Sequence, residues 1–174
     1  MKLRLMSFNH FLFAVLAVVL LAGCASSSES KKKKEAATLR LYLESTSDNT
    51  ENSTAVPVYR DAPVVVRVEK IPFVDEGDIA NAALVDVVGG FAIQITYNFH
   101  GRLALEQVTA AKKGWRIAIH CQATEGRWLA APVISQKISD GVFTFTPDAT
   151  REEAERIVRG LNNVAVTLKN KPKP

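Results

Sequence analysis

The chain has 174 residues, with 22 Lys plus Arg against 18 Asp plus Glu, two Cys and 47% apolar residues: enough for one ordinary domain with attached segments, and too short for two full-sized ones. Nine of the 22 basic residues lie outside positions 38–168, namely Lys2, Arg4, Lys31 to Lys34, Lys169, Lys171 and Lys173, which leaves 13 basic against 16 acidic residues within that span. The net charge of +4 therefore belongs to the ends and the domain itself carries −3, so nucleic-acid binding, whose basic footprint lies on the fold, is disfavoured.

Lys2 and Arg4, followed by the apolar run Phe11 to Ala22, read as the charged and apolar parts of a secretory leader spanning residues 1–23. The run is too short to cross a bilayer, since a helix rising about 1.5 Å per residue needs about 20 apolar residues to do so. It ends in Leu21-Ala22-Gly23-Cys24, which resembles the lipobox of bacterial lipoproteins. The resemblance implies cleavage between Gly23 and Cys24 and attachment of a lipid to the Cys24 thiol, making Cys24 the new N-terminus. The alternative is an ordinary signal peptide with an incidental Cys. The position of Cys24 at the end of the apolar run and the polar stretch Ala25 to Ser30 speak against it. Residues 24–37 are then a lipidated Cys and a flexible Ser/Lys-rich tether with a reach of about 20 Å. Lys31 to Lys34 either meet anionic headgroups, at about 1 kcal/mol each, or act as a solvated spacer. By the same resemblance, Ala25 after the Cys favours the outer membrane where two membranes are present, with the domain facing the periplasm.

The folded part is expected over residues 38–168, with 169–174 a basic, disordered tail. Leu39, Leu41 and Leu43 alternate with Arg40, Tyr42 and Glu44, which predicts a strand with one buried face. Ser45 to Thr54 is rich in Ser, Asn, Asp and Thr and reads as a mobile loop. A strand is expected over Val64 to Glu69, and Asp75, Glu76 and Asp78 around Gly77 read as a turn and the start of a short helix. Phe91 to Phe99 is nine residues of unbroken alternation, and further strands fit Arg116 to Gln122, Trp128 to Ile134, Val142 to Thr146 and Val164 to Leu168. One helix is expected over Arg102 to Lys112, ended by Gly114. A second starts at the capping box of Thr150 and Glu153, with Ala154, Ile157, Val158 and Leu161 on its apolar face. Strands with two good helices predict an α+β fold, a mostly antiparallel sheet covered by two main helices.

With the leader and Cys24 set aside, Cys121 has no disulfide partner and His100 and His120 are the only histidines. Alternation places Ile117, Ile119 and Cys121 on one strand face, which predicts a buried, inert thiol. His120 points to the opposite face, so the pair does not serve one catalytic or metal site. The sequence contains no CxxC pair, HExxH, GxSxG, phosphate loop or GxGxxG run. No enzyme, no cofactor and no metal are expected.

The order of segments is recognisable. Asp78-Ile79-Ala80-Asn81-Ala82, the alternating strand, a helix, Trp115 to Ile119, Ala131-Pro132-Val133-Ile134, Ile138-Ser139-Asp140-Gly141 and Thr150 to Ala154 together resemble the head subdomain of the first periplasmic domain of SecD, over about Val56 to Val166. SecD is a membrane component that assists protein export. The resemblance implies an α+β head and affinity for extended polypeptide or protein partners. It does not extend to the export motor: that depends on multiple transmembrane helices, and no apolar segment here is long enough to supply one. The function expected is a non-enzymatic, membrane-anchored envelope lipoprotein whose SecD-head-like domain binds protein, by strand addition at a sheet edge, in export or envelope assembly. Arg127 and Trp128 are the candidate exposed anchor, with packing of Trp128 in the core as the alternative. The other readings are a structural lipoprotein with one fixed partner and an enzyme of unfamiliar design.

Overall fold

In a computed structural model of the chain, the residues described are 35–46 and 51–170. Gly23, Cys24, the leader and the lysine block lie outside them. The elements run β1 (Thr38–Leu43), β2 (Ser53–Val58), β3 (Val64–Glu69), a 3-10 turn (Glu76–Asp78), β4 (Ile79–Val87), β5 (Gly90–Tyr97), α1 (Phe99–Ala111), β6 (Ile117–Gln122), β7 (Gly126–Ala130), β8 (Val142–Phe145) and α2 (Arg151–Lys169). The fold is α+β, as expected, but the strands form three small antiparallel sheets: β1-β6-β7, the hairpin β2-β3, and β4-β5-β8.

The β1-β6-β7 sheet is apolar on both faces. Leu39, Leu41, Leu43, Ile117, Ile119 and Cys121 enter the main core, where they meet Ile93 and Ile95 of β5, Phe143 and Phe145 of β8, Leu105 of α1, and Ala154, Ile157 and Leu161 of α2. Ala118, Tyr42 and Trp128 meet Val56, Val58, Val66 and Val68 of the β2-β3 hairpin, which forms a second, smaller core. Each fully buried Leu or Ile contributes about 1.5–3 kcal/mol relative to exposure.

Several elements depart from the sequence pattern. Val164 to Leu168, expected as a strand, continues α2. Ala154, Ile157, Leu161 and Ala165 are buried at helical spacing while Val166 is exposed, so the local alternation of Val164, Val166 and Leu168 is incidental. Lys169, assigned above to the tail, is helical. The strand expected over Trp128 to Ile134 stops at Ala130, ahead of Pro132. The strand that began at Phe91 ends at Tyr97, because the Asn98 side chain accepts from Gly101 N–H and starts α1 at Phe99 rather than at Arg102. Two strands were missed. β2 begins inside the expected loop, and in β4 a register irregularity between Ile79 and Asn81 breaks the period. The 3-10 turn matches expectation, capped by Asp75 and boxed by Asp78.

Several sheet margins are partly closed. Leu41 exchanges backbone hydrogen bonds with Phe73 and Val74, and Asp148 N–H donates to Leu129 O. Arg67 O accepts from Ser45 N–H, so Arg67 and, two residues on, Val65 point away from β2. Their partners Ala55 and Pro57 therefore lie on the outer edge of β2, where Pro57 offers no donor. On β4, the Asn162 carboxamide of α2 accepts from Ala82 N–H at 2.8 Å and donates to Ala82 O at 2.9 Å, and Lys169 Nζ donates to Ala80 O. Replacing Asn162 by Ala leaves both Ala82 groups unpaired, and we expect a loss of about 2 kcal/mol in urea unfolding. An unchanged midpoint would show that water replaces the amide at no cost.

Candidate functional site: an open strand edge and its groove

β8 forms one margin of the β4-β5-β8 sheet. Tyr97 N–H donates to Gly141 O at 2.9 Å, which fixes the phase of the β5-β8 pairing. Because antiparallel bonding alternates, Phe143 and Phe145 bond to Ile95 and Ile93, whereas the N–H and C=O of Val142 and Thr144 point off the sheet. Val142 N–H is taken by the Asp140 carboxylate at 3.0 Å. Among the described residues, Val142 O, Thr144 N–H and Thr144 O have no partner.

This edge opens onto a groove of about 440 Å³ between β8 and the segment 132–140. Ile117, Ile134 and Phe143 supply apolar lining, and Thr109 holds the segment in place by accepting from Ile138 N–H through its hydroxyl at 2.9 Å. The charged lining residues are Lys137, paired with Glu106 at 2.6 Å, and Asp140.

Arg127 and Trp128 lie elsewhere, on β7. Trp128 is half-buried, edge-on to Tyr42 at 5.1 Å and to His120 at 5.0 Å, over the smaller core. Arg127 pairs with Glu153 and Asp148, which also bind Arg60, so its guanidinium is already engaged within the domain. Burial pushes the Glu153 carboxyl up, but the hydrogen bond and charge of Arg127 outweigh it and hold the group below the usual range. Arg60, Arg127 and Arg156 border a second pocket of about 310 Å³ floored by Cys121, Leu129 and Ile157. Cys121 is a buried free thiol pushed up to about 12 by desolvation, and is therefore no nucleophile at neutral pH. His120 lies on the opposite face of β6, its pKa lowered by burial and by Arg40.

No local pattern links His100 to Asp78, 22 positions away in the chain. His100 Nδ1 lies 2.7 Å from Asp78 Oδ1, while Asp78 Oδ2 accepts from Asp75 N–H. α1 reaches this position because Gly101 has no side chain: a Cβ there would lie 2.8 Å from that of Asp78. Beneath the pair, the Tyr97 hydroxyl is buried without a hydrogen-bond partner, its pKa raised by burial and by Asp78. Asp75, Glu76 and Asp78 do not converge on a point, and among the described residues no group of three or more His, Cys, Asp or Glu is placed to hold a metal ion.

No family model matches the sequence, and no curated protein matches it. Solved structures do match. A chain from a structure of SecDF, described as a membrane component that enhances protein export, superposes with a TM-score of 0.55 and 20% identity, over 80% of this chain and 68% of that one. The fold is SecDF-like. A second SecDF crystal structure, in a super-membrane-facing form, gives the same score and identity over 80% of this chain, which spans only 20% of that protein. This is the architecture that the ordered segments implied, and at such identity the likeness speaks for the fold. Among the described residues no helix is long and apolar enough to cross a membrane.

The hydrogen bond to Asp78 raises the His100 pKa above the ordinary 6.5. The pair's stabilisation is then complete below that value and fades as pH rises through the folded-state pKa. An NMR titration of His100 is expected to give a midpoint above 6.5 that Asp78→Asn lowers; a midpoint unaffected by that substitution would mean the contact does not form in solution.

Proposed function

We propose that this chain is a non-enzymatic, lipid-anchored envelope protein whose SecDF-like domain binds other polypeptides at the β8 edge. The observation that carries this reading is the set of unpartnered main-chain groups on Val142 and Thr144 that face a groove. Backbone groups of this kind bind by strand addition, which gives affinity for chain in extended form with little dependence on sequence. The fold supports the reading because the proteins that share it, the SecDF structures, are described as enhancing protein export. A part in protein export or envelope assembly follows as the setting. Arg127 and Trp128, already engaged inside the domain, are secondary candidates for contact.

The lipobox Leu21-Ala22-Gly23-Cys24 supplies the anchor in this reading, with cleavage after Gly23, the tether 24–37 and a domain held close to the membrane on its periplasmic side, the outer membrane being favoured by Ala25. Cys24→Ala is expected to abolish incorporation of labelled fatty acid and to leave the leader uncleaved on mass analysis; normal cleavage of the variant would sink the anchor assignment. For the binding role, the full-length protein in detergent should retain an unfolded, uncharged test polypeptide and release it when the polypeptide folds. If it ignored unfolded chains and instead held one folded protein in fixed stoichiometry, the assembly reading would replace this one.

A further inference from the structure

The far wall of the groove carries its own set of outward backbone groups. The segment Pro132-Val133-Ile134 pairs with residues 115–117 through Ile117 N–H to Pro132 O at 3.0 Å and Ile134 N–H to Trp115 O at 2.8 Å. These two bonds flank the Arg116-Val133 bridge, so Arg116 and Val133 direct their own N–H and C=O away from each other. Arg116 directs its pair toward Glu44, the residue just past β1: Arg116 O accepts from Glu44 N–H, and Arg116 N–H donates to the Glu44 carboxylate at 2.7 Å. The Val133 groups face the other way, on the side of the groove that Val133 lines, and have no partner among the described residues.

We propose that the groove is a two-sided strand slot: an extended polypeptide enters between β8 and Val133, bonding to Val142 and Thr144 through one set of alternate amides and to Val133 through the other. This rests on the binding role proposed above and specifies its ligand. The chemistry of the walls selects the occupant. Of the two lining charges, Lys137 is paired with Glu106, while Asp140 accepts from Val142 N–H and keeps its negative charge, so the groove disfavours an anionic head and offers a cation one surface carboxylate rather than a built site. What it offers are amide donors and carbonyl acceptors on two opposed walls, and their complement is the alternating polar edge of a β-strand. β8 has four residues, so the bonded stretch is short, about 13 Å. Successive side chains of the entering strand point to opposite faces, one toward the groove, whose accessible apolar lining includes Pro132, Val133 and Ile138, and the other toward water, so the preferred segment alternates apolar and polar residues and carries no required charge.

The slot makes both sets of peptide amides necessary, and this separates it from simple edge binding. The test uses the full-length protein and a labelled eight-residue peptide alternating Val and Ser, read by fluorescence anisotropy. N-methylation of either alternate set of amides is expected to weaken binding at least tenfold. On the protein, Thr144→Pro and Val133→Pro each remove one groove-facing N–H without touching an internal ladder bond, and each is expected to weaken binding at least fivefold, whereas Val88→Ala, in the exposed β4-β5 turn outside the groove, binds within twofold of the parent. Raising NaCl from 50 to 500 mM should change affinity less than twofold, because no ion pair forms. If methylation of only one set and Thr144→Pro alone reduce binding, the two-sided slot is wrong while edge binding stands. If the peptide binds and no change matters, the peptide sits elsewhere; if no peptide binds at all, the binding role itself fails. The methylated peptides decide the question even if a proline variant does not fold.

Discussion

The hydrogen bond from Tyr97 N–H to Gly141 O sets the phase of a whole sheet. Antiparallel pairing allows each residue's main-chain groups only two directions, so once this bond is placed, every other direction in β4-β5-β8 follows. Ile93 and Ile95 turn toward β8, Ala82 turns out toward Asn162, and Val142 and Thr144 turn out toward the groove. The Asn162 contacts were not needed to derive this phase, yet they agree with it. The same rule, applied to the bridge between Arg116 and Val133, orients the opposite wall.

How much of this could be read from the sequence depended on which physical signal each element carried. The β1 and β5 alternations and the Thr150 capping box are local signals and were legible. The period-two pattern misled where it lay on a helix: Val164, Val166 and Leu168 alternate by accident, and the helical spacing from Ala154 to Ala165 outweighs them. β4 escaped notice because its irregularity interrupts the period, and β2 because Ser53 and Thr54 look like loop. Burial of Cys121 was legible from its parity with Ile117 and Ile119. The groove was not, since it depends on hydrogen-bond phase, and that is a property of two paired strands which neither strand's side chains disclose. The sequence pointed instead to Arg127 and Trp128, which are conspicuous by residue type; the ionic cluster with Asp148 and Glu153 that occupies Arg127 comes from parts of the chain too distant to anticipate.

The β1-β6-β7 sheet buries both faces, one against the helices and one against the β2-β3 hairpin, and Ile134 of the segment 132–140 is itself buried in the main core. That segment is held by discrete contacts: the pairing at 115–117, the Thr109 hydroxyl and the ion pair of Lys137 with Glu106.

The Asn162 carboxamide on Ala82 has a consequence for assembly. A three-stranded sheet with two free margins is divalent: each copy can add to the next, and the product is an open fibre. On one margin, Asn162 presents an amide to Ala82 much as a neighbouring strand would, and a side chain cannot pass the pairing on. Over Ala80 and Ala82 the margin is thereby closed to a further strand, while Leu84 and Asp86 still turn their main-chain groups outward. Growth by strand addition at that margin is thus confined to the end of β4 nearest its turn into β5.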